Sequence, residues 1–184
     1  MNWKVFNKDQ KEEIRCGLED GLNVSMYANP KFDHFQMYAL RRGLEDGLDV
    51  SWYADPQYEP YQMAEIARGL KNGVDVRIYA DPKYNDFQMR QIRVGLEKGL
   101  DVSLYADPKY DADQMWQIRE GLESGVDVSI YADPKYDGWQ MRQIREGFEK
   151  EPAIKVAYLI GEMKNEKDRP AVQLNKPTRK GLER

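Results

Sequence analysis

Residues 33–56 read Asp33-His34-Phe35-Gln36-Met37-Tyr38-Ala39-Leu40-Arg41-Arg42-Gly43-Leu44-Glu45-Asp46-Gly47-Leu48-Asp49-Val50-Ser51-Trp52-Tyr53-Ala54-Asp55-Pro56. Asp33 stands three residues before Gln36, the spacing of a capping box. An Asp side chain accepts from the N3 amide there, while the Gln reaches back to the cap's own amide. Met37, Leu40 and Leu44 then fall at i, i+3 and i+7, one apolar stripe of a helix. Gly47 supplies the left-handed residue that stops it. Asp49 is a natural cap for a second, short helical segment over Val50 to Tyr53, and Pro56 restricts Asp55 beyond it. A strand over the Val-x-x-Tyr segment is the alternative, since short apolar runs fit both.

The same stretch recurs every 26 residues. Gln10, Gln36, Gln62, Gln88, Gln114 and Gln140 keep that step, as do Gly17, Gly43, Gly69, Gly95, Gly121 and Gly147. Tyr27-Ala28, Tyr53-Ala54, Tyr79-Ala80, Tyr105-Ala106 and Tyr131-Ala132 keep it too, each followed by proline two residues on. The cap position holds Asn7, Asp33, Glu59, Asn85, Asp111 and Asp137, with Glu59 the weak member. A unit of this size cannot bury its own apolar face, so neighbouring units must stack. The expectation is an all-α fold, a short α-solenoid of helix–turn–short-helix repeats over residues 1–150, the sixth repeat truncated. Glu151-Pro152 breaks the pattern. Residues 151–163 are expected to form a C-terminal capping helix, and residues 164–184 a basic, flexible tail.

Two further features bear on packing. The glycine inside each helix costs about 1 kcal/mol relative to alanine, so its repetition predicts a close helix–helix approach. Arg15–Glu19, Arg41–Glu45, Arg93–Glu97, Arg119–Glu123 and Arg145–Glu149 place opposite charges four residues apart. In the third repeat both members change together, to Ala67 and Lys71.

Apolar residues at 41% are too many for a disordered chain, and charged residues at 33% too many for a membrane protein. The longest apolar stretch, Val156 to Ile160, is far too short to span a bilayer. The first residues lack a signal-peptide core, and the single Cys16 excludes an internal disulfide framework; a reducing cytoplasm is expected. The net charge of −4 is unevenly spread. Residues 164–184 hold seven Lys/Arg against three Asp/Glu, which leaves −8 on residues 1–163.

The inventory for catalysis is thin. His34 and Cys16 stand alone, so triads, zinc sites and general-base histidines find no set of residues. No Gly-rich phosphate loop follows a strand, and no cofactor is expected. Asp107 with Asp111, or Asp133 with Asp137, have the chemistry to hold a hard cation. Their recurrence fits turn and cap roles better, and no metal site is expected.

Function is sought where the repeats differ. Position 38 points away from the 37/40/44 stripe and holds Glu12, Tyr38, Ala64, Arg90, Trp116 and Arg142. Position 42 also points outward. Tyr38, Arg42, Arg90, Trp116 and Arg142 are therefore the candidate partner-binding residues, aromatic and arginine side chains of the kind enriched at interface hot spots. The alternative for Trp116 is packing over a neighbouring repeat. Phe35, Tyr61, Phe87 and Trp139, one position before the repeated Gln, are expected to pack between repeats.

The unit Gly-Leu-Asp-Val-Ser-x-Tyr-Ala-Asp-Pro-Lys-Tyr-Asp-x-x-Gln-Met-x-x-Ile-Arg resembles a repeat of proteins from Firmicutes phages, plasmids and conjugative elements. The likeness covers residues 7–150 and not the tail. It implies a cofactor-free binding protein in the cytoplasm of a bacterial host, of the class that includes anti-CRISPR inhibitors of RNA-guided nucleases. The acidic body would then face a basic nucleic-acid channel on its protein partner. A nucleic-acid accessory protein contacting phosphates through Arg179, Lys180 and Arg184 is the second reading, and a scaffold or homo-oligomer the third. The −8 body argues against broad nucleic-acid binding.

Overall fold

The computed structural model describes residues 2–150; the expected capping helix over residues 151–163 and the basic tail lie outside the described residues. Six α-helices follow one another: α1 (Lys8–Glu19), α2 (His34–Glu45), α3 (Pro60–Lys71), α4 (Asp86–Glu97), α5 (Ala112–Glu123) and α6 (Gly138–Lys150). A single 3₁₀ turn stands in each connection, as at Val24–Met26, Val50–Trp52, Val76–Ile78, Val102–Leu104 and Val128–Ile130, with one more at Trp3–Val5. There is no strand among the described residues, so the second segment of each repeat is helical. The chain forms two compact units, one ending at Pro108 and one beginning at Lys109. In the first, α1 packs on α2, α2 on α3 and α3 on α4; in the second, α5 packs on α6. Within each unit this is the all-α arrangement of a helical repeat solenoid.

Each boundary follows from the residue standing there. The Asp33 carboxylate accepts from the Gln36 amide at 2.8 Å, and Asp33 N–H donates to Gln36 Oε1 at 2.8 Å. Asn7, Asn85, Asp111 and Asp137 make the same reciprocal pair with their Gln. At the weak cap, Glu59 N–H donates to Gln62 Oε1 at 2.6 Å, and Pro60 at the first helical position compensates by fixing its own φ. Gly47 ends α2 at φ 72°, and Leu48 N–H reaches back to the Gly43 carbonyl at 2.9 Å, closing the last turn. Asp49 then accepts from the Ser51 amide at 3.1 Å and starts the 3₁₀ turn.

The repeated Gln has a second task that reaches beyond its own helix. Gln36 Nε2 donates to the carbonyls of Pro56 at 3.1 Å and Tyr58 at 2.7 Å, in the turn that leads into the next helix. One buried amide thus caps α2 and holds the start of α3. Tyr58, Tyr84 and Tyr110 add a parallel link, each hydroxyl donating to the carbonyl of Ala80, Ala106 or Ala132 one repeat further on, at 2.7–2.8 Å. Gln36→Ala removes three hydrogen bonds and leaves two carbonyls and one amide without partners. It is expected to lower stability by about 2 kcal/mol in urea unfolding with an unchanged m-value. A loss below about 0.5 kcal/mol, the range of a surface change, would contradict this role.

The helical glycine faces something other than a second helix. Tyr27, Tyr53, Tyr79, Tyr105 and Tyr131 are fully buried, and each runs its ring back under the preceding helix. A β-carbon built on Gly43 falls 1.9 Å from the Tyr53 hydroxyl oxygen and 2.9 Å from Val50 Cγ1. The close approach is therefore between the helix and its own following 3₁₀ turn, which corrects the expected helix–helix contact. Met37 and Leu40 are fully buried and Leu44 half-buried, so the predicted stripe is the core-facing one.

Candidate partner-binding groove

The five arginine–glutamate pairs four residues apart form within their helices, and Arg41, Arg93 and Arg145 also reach the preceding repeat. Arg41 does pair with Glu45 four residues on, but its Nε also donates to Glu13 Oε2 of the preceding repeat at 2.8 Å. Burial opposes the Arg41 charge; hydrogen bonds and charge from Glu13 and Glu45 outweigh it and hold the guanidinium above its ordinary pKa. Arg93 repeats the pattern, with Nε on Glu65 Oε2 at 2.8 Å and Nη1 on Glu97 at 2.5 Å. Arg145 donates to Gln117 Oε1 at 3.2 and 3.3 Å. Acceptor and arginine are always 28 residues apart in these pairs.

Between α2 and α3 that pair is absent, because the two positions hold Ala39 and Ala67. Two methyl groups stand where neighbouring repeats hold a long acceptor and an arginine. Ala64, the small member of the position-38 column, is the third alanine at this junction. Lys71, the other changed residue of the third repeat, turns to Asp46 at 2.9 Å and holds that carboxyl below its usual range through hydrogen bond and charge.

The space so vacated is an open groove of about 650 Å³. Its floor is Ala39, Gly43, Ala64 and Ala67; Phe35, Tyr38 and Tyr61 wall it, and Arg42, Arg68, Lys71 and Asp46 stand at its edge. The Arg41 guanidinium carbon lies 5.3 Å from the Tyr38 ring centre and backs that wall. A second, smaller depression is lined by Tyr61, Glu65, Arg68, Asp86, Phe87 and Arg90.

Behind Gly43 the repeat's hydrogen bonding is incomplete. Tyr27, Tyr79, Tyr105 and Tyr131 donate to the carbonyls of Glu13, Glu65, Gln91 and Gln117 at 3.0–3.2 Å. The Tyr53 hydroxyl is the one buried side-chain polar atom among the described residues without a partner. An unmade buried hydrogen bond costs about 1–3 kcal/mol, so Tyr53→Phe is expected to raise stability by about 1 kcal/mol. Tyr79→Phe, which loses a real bond, is expected to lower it by a similar amount. Equal losses in the two variants would refute the distinction.

Of the residues singled out in the sequence, Tyr38 and Arg42 meet at the groove, and Arg90 lines the smaller depression. Trp116 and Arg142 belong to the second unit. Trp116 is exposed and its Nε1 donates to Glu120 at 3.0 Å, and Arg142 is exposed and paired with Glu146 at 2.6 Å. Trp116 therefore does not lie sealed under a neighbouring repeat. Arg179, Lys180 and Arg184 lie outside the described residues.

One expectation is reversed. Phe35, Tyr61 and Phe87 are 60%, 75% and 61% exposed and so are not sealed between repeats; Trp139, at 37%, is the most covered of the four. Positions 35, 38 and 42 follow i, i+3, i+7, so Phe35 shares the outward stripe of Tyr38 and Arg42. That spacing was the available signal. Asp111 and Asp137 cap helices and Asp133 accepts from the Lys135 amide at 3.0 Å, so these carboxylates serve caps and turns. Among the described residues no group of three or more His, Cys, Asp or Glu is placed to hold a metal ion, and no helix is long and apolar enough to cross a membrane. Comparisons with protein-family models, with curated proteins and with solved structures find no match.

Proposed function

We propose that this chain is a non-enzymatic, protein-binding repeat protein that engages its target through side chains carried where the repeats depart from their consensus. The observation that carries the reading is the cluster of exposed aromatic side chains, Phe35, Tyr38 and Tyr61, around a groove edged by arginines. Large exposed aromatics gathered in one place expose apolar area that a partner would cover, and aromatic and arginine side chains supply most hot spots of protein interfaces. The scarcity of His and Cys supports binding over catalysis.

The target class we assign is a host RNA-guided defence nuclease, with the chain acting as an inhibitor carried by a mobile element. The resemblance of the repeat supports this, and so does the charge of −8 on residues 1–163, which suits a basic nucleic-acid channel and speeds encounter at low salt. Pull-down with candidate nucleases and cleavage assays across salt concentrations form the test. Expected are association that weakens with salt, inhibition of cleavage, and a loss of affinity of about tenfold or more in Phe35→Ala/Tyr61→Ala. No association at low salt would overturn the nuclease as target. Undiminished affinity in the double variant would overturn the aromatic cluster as the contact.

A further inference from the structure

We propose that the groove between α2 and α3 is a docking site for an acidic peptide segment of a partner, one aromatic or aliphatic side chain entering the groove and flanking carboxylates meeting Arg42 and Arg68. This rests on the reading of the chain as a protein-binding molecule and not on the nuclease as its target.

The occupant's chemistry follows from the way the groove is built. Its apolar floor exists because Ala39 and Ala67 replace an ion pair, so the groove offers no buried charge for a polar side chain to satisfy. An apolar side chain gains by leaving water there, and a polar one loses its hydration without return. The walls are ring faces, which suit an aromatic or branched aliphatic group.

Charge sets what flanks that anchor. Arg42 and Arg68 are 55% and 60% exposed, whereas the carboxylates they pair with, Glu45 and Glu65, are 20% and 7% exposed. Those carboxylates are also shared, Glu45 with Arg41 and Glu65 with Arg93. An approaching segment thus meets the outer faces of two guanidiniums with their counter-ions tucked behind. Each guanidinium has five N–H donors, so a partner carboxylate has donors to bind without displacing the internal pair. A basic segment would meet Arg42 and Arg68 as like charge, and the one edge-standing carboxylate, Asp46, is already held by Lys71. The site runs opposite in sign to the acidic body and selects a different class of ligand from it.

The repeats themselves provide the control. The variant A39E/A67R rebuilds the pair that Glu13 and Arg41 form at 2.8 Å one repeat earlier, and fills the groove with a structure the fold already tolerates. Random 12-residue peptides displayed on phage would be selected on the full chain, and the most enriched resynthesised for fluorescence anisotropy. Expected are enriched peptides with net negative charge and an apolar anchor. Their affinity should fall by about tenfold or more in A39E/A67R and in R42Q/R68Q, and should weaken with salt. R42Q/R68Q changes exposed side chains only, so it remains informative if the filled variant folds poorly. Failure to enrich acidic peptides, enrichment of basic ones, or affinity in both variants equal to that of the unaltered chain would overturn the proposal. A nuclease that still binds A39E/A67R would leave the proposed function standing while this site is lost; peptides that bind without any nuclease would do the reverse.

Discussion

Gly69→Ala is expected to destabilise the protein by about 3 kcal/mol, although alanine is the better helix former by about 1 kcal/mol. The added β-carbon would lie 1.9 Å from the Tyr79 hydroxyl oxygen and 3.1 Å from both Tyr79 Cζ and Val76 Cγ1. Tyr79 is fully buried and its hydroxyl donates to the Glu65 carbonyl at 3.2 Å, so the ring has no free direction in which to yield. The helix and its following turn must part, and the burial that joins them is lost. Adding Tyr79→Phe to Gly69→Ala removes the oxygen and should recover part of the loss, because residues in contact couple by about 0.5–3 kcal/mol. Urea unfolding of Gly69→Ala, Tyr79→Phe and the double variant decides it; a mild effect of Gly69→Ala, or no recovery in the double variant, would overturn the contact.

The parts of this fold that could be read in the sequence are those that a residue imposes on the chain nearby. Asp33 with Gln36, Gly47 at positive φ and Asp49 before the 3₁₀ turn each act across five residues or fewer. Their spacing carries the physics. The Tyr53–Gly43 contact joins residues ten apart through a turn whose path a helical wheel does not contain. The repetition of both residues showed that they matter without showing that they meet.

The groove was hidden for a related reason. In the sequence Ala67 and Lys71 stand as a lost intrahelical pair, since residues four apart are neighbours on a helix. The partner that decides the consequence is Ala39, 28 residues before Ala67, and that offset depends on how one repeat is set against the next. Phe35 and Tyr61 show the same limit. Their type argued for burial, whereas their register with Tyr38 and Arg42 argued for exposure, and register prevailed because the stacking face was already filled by Met37, Leu40 and Gln36.

Alkaline pH is expected to unfold the chain through the inner tyrosines. Burial pushes the Tyr27 phenol up to about 12, with Arg41 offsetting a part, and burial raises Tyr53, Tyr79 and Tyr131 further. An unfolded tyrosine releases its proton near pH 10. The folded state therefore holds these protons more tightly, and stability falls as pH rises wherever the unfolded chain has lost more of them. The contribution is fully present below about pH 10 and is lost as pH climbs through the folded values. Tyr27 alone accounts for about 2–3 kcal/mol across that window, and four such groups together compare with the whole stability of an ordinary domain. The array should lose its helices above about pH 11, before these phenols ionise in the native state. Tyrosinate absorbance at 295 nm and helical ellipticity at 222 nm, followed together, should show the late-titrating phenols appearing as the helices vanish. Helical signal that persists after every tyrosine has ionised would mean that the rings are not held under the glycines, and the packing inferred for each repeat would fall with it.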